Sequence, residues 1–381
     1  MKRAVFVPLG IGVLGLAATL LEAHVDPPRA LLAYTAAFYA AIVVAVGALL
    51  FEMIAKTVNA SWFVVFERLS GAISATLPLF LVLFVPIGLH VHGIYPWASP
   101  ASLEANERAW AAHAHRWLDV PFFVARSYAY LLLWSALAWS LRRSALADDT
   151  HPAARNGARR RFVSAAGLPV MAFSLTLAAF DWLMSLNPRW ASDMLGVYLF
   201  AGGFAGAMGT LAVAAWAARR AGLLPHDVRA DHFHALGRVL LVSVIFWGYI
   251  AFCQFLLVWI ADMERESAFY FVRSRGPWAW TAAALGVAHF GVPFFLLLSR
   301  ALKRVPGRLA FVGAWVVVAH ELDVYWLVVP SGLASPALVD VFPVAGVFGV
   351  VIACGMWIFH GARAVPIHDP LFAEALGYES P

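Results

Sequence analysis

FWGYIAFCQFLLVWIADMERESAFYFVRSRGPW, residues 246–278, decides the fold. It opens as an apolar run with one amide, Gln254, near mid-span. It then passes through a short polar segment at 261–265 and closes on a basic aromatic patch of Tyr270, Arg273, Arg275 and Trp278. About 20 apolar residues cross the hydrocarbon core of a bilayer, so the first part reads as a membrane helix. The second part reads as an ordered surface loop anchored at the membrane–water boundary, where Trp and Tyr collect. The rest of the chain repeats this plan of long apolar helix and short connection.

Composition agrees. Of 381 residues, 62% are hydrophobic and 13% charged, with a mean hydropathy of +0.77. A soluble domain carries about 25% charged residues. The net charge of +5 does not point to nucleic acid, because the basic residues sit between apolar runs, where they set orientation in a membrane. Cys253 and Cys354 lie in apolar runs without a CxxC or CxxCH neighbour, which argues against covalent haem, an iron–sulfur cluster or structural zinc on this chain. Both read as small core residues. The opening MKRAVFVPLGIGVLGLAATLLEA has the layout of a signal peptide, but its apolar run is long for one and reads as the first spanning helix.

Ten spans are expected within one polytopic domain, 1–381, at about 4–21, 29–55, 70–92, 121–142, 162–185, 193–218, 237–260, 279–302, 308–329 and 342–361. With this division 19 of the 27 Lys and Arg fall on the side of the N-terminus and 7 on the other, Arg126 lying within a span. That asymmetry predicts both termini in the cytoplasm. The stretch 142–161 reads as a solvated tether, and 93–120, with Trp97, Trp110 and Trp117, as a partly helical interfacial segment or partner surface.

Charged groups inside spans are costly and mark pathways or staples. Arg126 and Asp181 fall at similar depth on neighbouring helices, which predicts an ion pair, either structural or part of a proton-handling or quinol-facing site. The run HELDVYWLVVP, 320–330, puts His320 and Asp323 on one helix face and Glu321 with Tyr325 on the adjacent one. His289 lies at similar depth. Glu52 and Glu67 lie inward of the central groups and Asp323, Asp181 and His92 outward, so the set forms a ladder that a proton path would use and that polar packing would also produce. His289 and His320 are not arranged as the regular facing pairs of a b-type haem site, so no metal is expected.

Five segments, NASWFVVFERLSG (59–71), FDWLMSLNPRWASDMLGVYLFAGG (180–203), the 246–278 stretch with its R-x-x-G-x-W ending, HFGVPFFLLLSRALKR (289–304) and DVYWLVVP (323–330), together resemble the NrfD-like membrane subunits, and most closely the shorter of the two found in bacterial alternative complex III. The resemblance runs from about residue 45 to 330. It implies an all-α integral membrane fold of two four-helix bundles with a flanking helix at each end. It also implies a multi-pass place in the bacterial inner membrane, in a quinol:cytochrome c or quinol:oxidase electron-transfer complex. The partners implied are a larger NrfD-like paralogue, multihaem and monohaem cytochrome c subunits, an iron–sulfur subunit and small membrane subunits. Haem c and iron–sulfur clusters would then sit in those partners, with no redox centre on this chain; quinol and lipid would be its ligands. The Asp of the family's FDW motif corresponds to Asp181, and the polar ninth helix to His320, Glu321 and Asp323. Two other classes compete. A stand-alone secondary transporter would show a matched pair of Gly/Pro-interrupted helices, and a structural scaffold would tolerate neutralisation of Asp181 or Glu321.

Overall fold

The computed structural model describes residues 2–149, 154–188 and 190–380. Among them regular structure is entirely helical, and ten helices are long and apolar enough to cross a membrane. They are α1 Ala4–Val25, α2 Pro27–Thr57, α3 Ser61–Leu89, α4 Val120–Ala147, α5 Gly157–Leu186, α6 Leu195–Arg220, α7 Ala230–Ala261, α8 Gly276–Leu298, α9 Pro306–Ser331 and α10 Leu338–Phe359. The chain is thus a multi-pass membrane protein by architecture. Lys2, Arg3, Arg155, Arg189 and Arg265, which entered the charge asymmetry, lie outside the described side chains.

The axis is α2. Its most apolar window is 94% buried inside the protein, against 17% for α1. A helix that is apolar all round belongs in a core, and this one starts cleanly: Asp26 accepts from the Arg29 amide at 3.2 Å and Pro27 occupies the first turn. One bundle is α2–α5, in which α5 packs on α2 and α4, and α3 packs on α2 and α4. The other is α6–α9, in which α6 packs on α7 and α9, and α8 sits between α7 and α9. The two bundles meet where α2 packs on α6 and α9. Close approach there depends on missing side chains. A Cβ on Gly203 would lie 2.6 Å from the Val43 carbonyl oxygen, and one on Gly47 would lie 2.6 Å from that of Gly203. Small residues serve this purpose in membranes, where apolar packing alone gives little drive for association. The two flanking helices are not at opposite sides: α1 and α10 pack on each other, Gly12 against Gly349, and both rest on α2.

Two expected segments change. Helix α3 begins earlier than its apolar run, as a 3₁₀ turn at Ser61–Phe66, and ends at Leu89. Pro78 and Pro86 withhold N–H donors, so its outer half proceeds in short turns and stops at His90, whose φ of −116° and ψ of 29° leave the helical region. The stretch 142–161 is no solvated tether: α4 runs on to Ala147, Arg68 pairs with Asp149 at 2.8 Å, and buried Arg160 pairs with Asp148. Residues 150–153 of that stretch lie outside the described residues. The interfacial segment 93–120 does contain a helix, Ala105–Ala114, and buries Trp97.

At the same end of the molecule the segment after α10 folds back. Buried Asp369 accepts from Lys56 at 3.1 Å and from Arg160 at 3.3 Å, and Lys56 also reaches Glu67 at 2.6 Å. Further along, the His232 ring meets the Ala375 carbonyl and the His234 ring the Ser380 hydroxyl, each at 2.7 Å. These contacts explain why α7 starts seven residues before its apolar run, at Ala230 rather than 237. Burial pushes the Asp369 carboxyl up, but the Lys56 ammonium, the Leu371 amide and the Arg160 guanidinium together hold it below the usual value. A depressed carboxylate stabilises the fold above its unfolded pKa, about 3.9, and that contribution is lost as pH falls through the lower folded value. Amides around Leu371–Ala375 are therefore expected to be protected from hydrogen exchange at pH 5 and to lose protection below about pH 3.9. In Asp369→Asn they should already be unprotected at neutral pH; equal protection in the two proteins would contradict this.

Candidate functional site

The second bundle converges on one carboxylate. Asp323 on α9 is 1% exposed. The Tyr198 hydroxyl from α6 donates to it at 2.5 Å and the Trp247 indole N–H from α7 at 2.9 Å. From α8, His289 brings its Nδ1 to 3.9 Å, beyond direct hydrogen-bond reach. Its ring lies on that of Trp247, centroids 3.8 Å apart. Each helix of the bundle thus contributes one side chain. His320, a turn earlier on α9, has its ring 6.2 Å from that of His289, and its Nε2 lies 3.3 Å from the Ala40 carbonyl of α2. There is room for this imidazole because Gly202 and Gly206 face it; a Cβ on either would stand 3.0 or 3.2 Å from the ring.

The local sequence explains how His289 comes to face inward. The segment Gly286–Gly291 is a π-helical turn. Pro293 follows it and has no N–H for the carbonyl of His289, four residues earlier, so the regular ladder is interrupted there. Two glycines let the backbone widen by one residue, and such π-turns are frequent at functional sites. His289 is fully buried, with no hydrogen-bond partner on either ring nitrogen.

Beside this cluster lies a cavity of about 640 Å³ between α7, α8 and the helix Glu264–Arg273. Tyr198, Trp247, Tyr270, Arg273, Phe290 and Trp326 are among its walls. Exposed Tyr249, Phe252 and Phe255 line it on the outer face of α7. Its volume and aromatic walls suit a ring-bearing apolar ligand. Tyr198 and Trp247 line the cavity and also donate to Asp323, so a single side chain separates the cavity from the buried carboxylate.

The basic aromatic patch is not a surface loop. Arg273 is 1% exposed and donates to the carbonyls of Trp326 at 3.0 Å, Phe269 at 3.1 Å and Leu327 at 2.7 Å, with its guanidinium 3.5 Å over the Phe269 ring. It neutralises the negative end of α9. Burial draws its pKa down to about 9, which leaves it charged at neutral pH. Trp278 is likewise buried and donates to the Leu333 carbonyl at 3.2 Å, whereas Arg275 stays exposed.

The remaining candidates are distributed. Arg126 and Asp181 form the expected ion pair, bidentate, with Arg126 Nε and Nη2 on the two carboxylate oxygens at 3.0 and 2.8 Å. Trp117 and Tyr130 add donors at 2.8 and 3.0 Å, and the Trp117 and Phe122 rings, set edge to face, each come within 4.2 Å of the guanidinium. The pair lies in the first bundle, between α4 and α5, while Asp323 lies in the second. Glu52 and Glu67 are buried at the end carrying the ionic network, Glu67 on Lys56. Glu321 does not join Tyr325: its carboxyl oxygens are buried without a hydrogen-bond partner, and Tyr325 donates instead to Asp340 at 2.6 Å, which Arg29 also holds at 3.0 Å. His92 is outside the span it was placed in. It is exposed past α3, with Nδ1 2.7 Å from the Ala98 carbonyl, so it does not belong to a buried ladder. Both cysteines are half-buried rather than in the core.

Sequence reading missed Tyr198 and Trp247, which looked like ordinary apolar-run aromatics. The available signal was chemical: a buried Tyr or Trp needs a partner for its polar handle. Among the described residues no three His, Cys, Asp or Glu side chains gather as a metal ion requires. No protein-family model matches the chain, and no curated protein matches it.

Proposed function

We propose that this chain is a membrane subunit of a quinol-oxidising electron-transfer complex of the bacterial inner membrane, and that the cavity beside α7 and α8 takes the quinol head group. The observation that carries the reading is the shared wall: Tyr198 and Trp247 face the cavity and hold Asp323 from it. Four of the five segments that resemble the NrfD-like subunits also supply the buried groups Asp181, Trp247, His289 and Asp323.

Oxidising a quinol to a quinone releases two protons and two electrons. In this reading the electrons leave to c-type haem or iron–sulfur centres of partner subunits. One proton passes from a quinol hydroxyl to the Tyr198 oxygen as Tyr198 hands its own proton to Asp323, and the second follows by the same relay once Asp323 has passed the first on. A side-chain shift of about 1 Å brings His289 within hydrogen-bond reach of Asp323, and His320 lies next toward α2. Glu52 and Glu67 mark the direction of the proton from there to the basic end.

Purification of the chain from native membranes in mild detergent tests the complex. Co-purifying c-type cytochrome and iron–sulfur protein, with quinol-dependent reductase activity, is the expected result. A colourless, solitary protein would overturn it and favour a transporter. Against the transporter, the interrupted helices α3 and α8 take the second place in one bundle and the third in the other, so they are not a matched pair.

A further inference from the structure

A second cavity, of about 380 Å³, lies at the opposite end of the first bundle from the Arg126–Asp181 pair, where α4 ends and α5 begins. Its walls are Trp139, Ser140, Arg143, Ser144, Ala147 and Arg159. Two guanidinium groups and two hydroxyls therefore share one recess that no carboxylate lines among the described residues. Both arginines are exposed, and neither makes an ion pair with a described residue. The neighbouring cations do not share this state: Arg68, Arg142 and Arg160 are buried and committed to Asp149, to the Ile358 carbonyl and to Asp148. Arg160 also donates to the Ser144 carbonyl at 3.1 Å, which pins the start of α5 against the end of α4 and fixes the recess.

The flank of the recess is apolar and exposed. Trp139, 60% exposed, stands one helical turn before Arg143 on the same face of α4, and Phe162, 73% exposed, lies just beyond Arg159 on α5. Trp belongs at the membrane–water boundary. A basic, hydroxyl-bearing recess on one side of that level, with bare aromatic surface on the other, matches a molecule with an anionic phosphate head and acyl chains. Basic pockets between spanning helices bind such head groups. We propose that this recess is a binding site for an anionic phospholipid, with Arg143, Arg159 and the two serine hydroxyls on the phosphate and Trp139 and Phe162 along the acyl chains. This goes beyond the proposed quinol chemistry and does not depend on it.

The test is native mass spectrometry of the full chain, exchanged into nanodiscs containing phosphatidylglycerol, phosphatidylcholine or equal parts of both. The wild type should retain phosphatidylglycerol over phosphatidylcholine. In Arg143→Gln/Arg159→Gln that preference should fall about 30-fold, corresponding to about 1 kcal/mol for each basic residue at a membrane surface. An Arg143→Lys/Arg159→Lys variant should keep most of it, and Arg220→Gln, elsewhere on the basic surface, should keep all of it. Both arginines are exposed, so the fold should survive, and an unchanged thermal midpoint verifies this. Equal retention of the two lipids by the wild type, or an undiminished preference in the Gln variant, would overturn the proposal. So would displacement of the lipid by millimolar inorganic phosphate, which would mark a site for a soluble anion.

Discussion

Asp323→Asn should reduce quinol oxidation by the assembled complex about 100-fold or more, the scale of losing a positioned general base. The fold should barely change. Asn has nearly the same volume, and the Trp247 indole N–H can still donate to its side-chain oxygen. The Tyr198 hydroxyl is both donor and acceptor, so it can turn to accept from the new amide. The two hydrogen bonds made by Asp323 therefore have replacements, and stability should move by less than about 1 kcal/mol. What disappears is the site's ability to take a proton. Asp323→Leu separates the two effects. It leaves the buried donors of Tyr198 and Trp247 unpaired, at about 1–3 kcal/mol each, and should lose stability as well as turnover. Turnover of Asp323→Asn close to wild type, in a complex shown to be intact, would remove Asp323 from the chemistry.

The largest effect on stability is expected at Asp181. It is wholly buried and receives four hydrogen bonds, two of them from Arg126. Neutralising it leaves a guanidinium without its counter-charge beside two aromatic rings, and removing one partner of a buried ion pair costs about 3–5 kcal/mol. Asp181→Asn should therefore sharply lower the yield of folded protein and its thermal midpoint in detergent. Replacing both partners with apolar residues, Arg126→Met with Asp181→Leu, should restore much of the loss, because no charge is then stranded. Recovery should be incomplete, since the Tyr130 hydroxyl also loses its acceptor. If this pair is a staple distinct from the quinol site, the double variant should turn over quinol at near the wild-type rate. A double variant that folds and is inactive would place Asp181 on the proton path.

Much of the architecture was legible in the sequence because membrane helices announce themselves by length and apolarity. The ten spans and the Arg126–Asp181 pair follow from runs and spacings that a bilayer enforces. What was hidden depended on three-dimensional closure. Arg160, Asp148 and Asp369 are polar residues in polar stretches, so the sequence presents them as solvent loops; only folding brings them together and buries them. Arg273 looked like a surface anchor because its partners are backbone carbonyls of α9, which no sequence pattern displays. The cavity was equally unreadable. Gly286 and Phe290 of the widened turn Gly286–Gly291 line it, and π-turns follow from a lost backbone hydrogen bond rather than from a hydrophobic period.

The central claim is that quinol sits against Tyr198 and Trp247. Its most direct measurement is photolabelling of the assembled complex with an azido-quinone, followed by peptide mapping of this chain. Ala282 lines the cavity and is half-buried, so Ala282→Trp should fill it without stranding a polar group. Adducts are expected on the cavity faces of α7 and α8, around Phe252 and Phe290, abolished by excess quinone and by Ala282→Trp. Labelling confined to partner subunits, or labelling of α7 and α8 that persists in a folded Ala282→Trp complex, would contradict it.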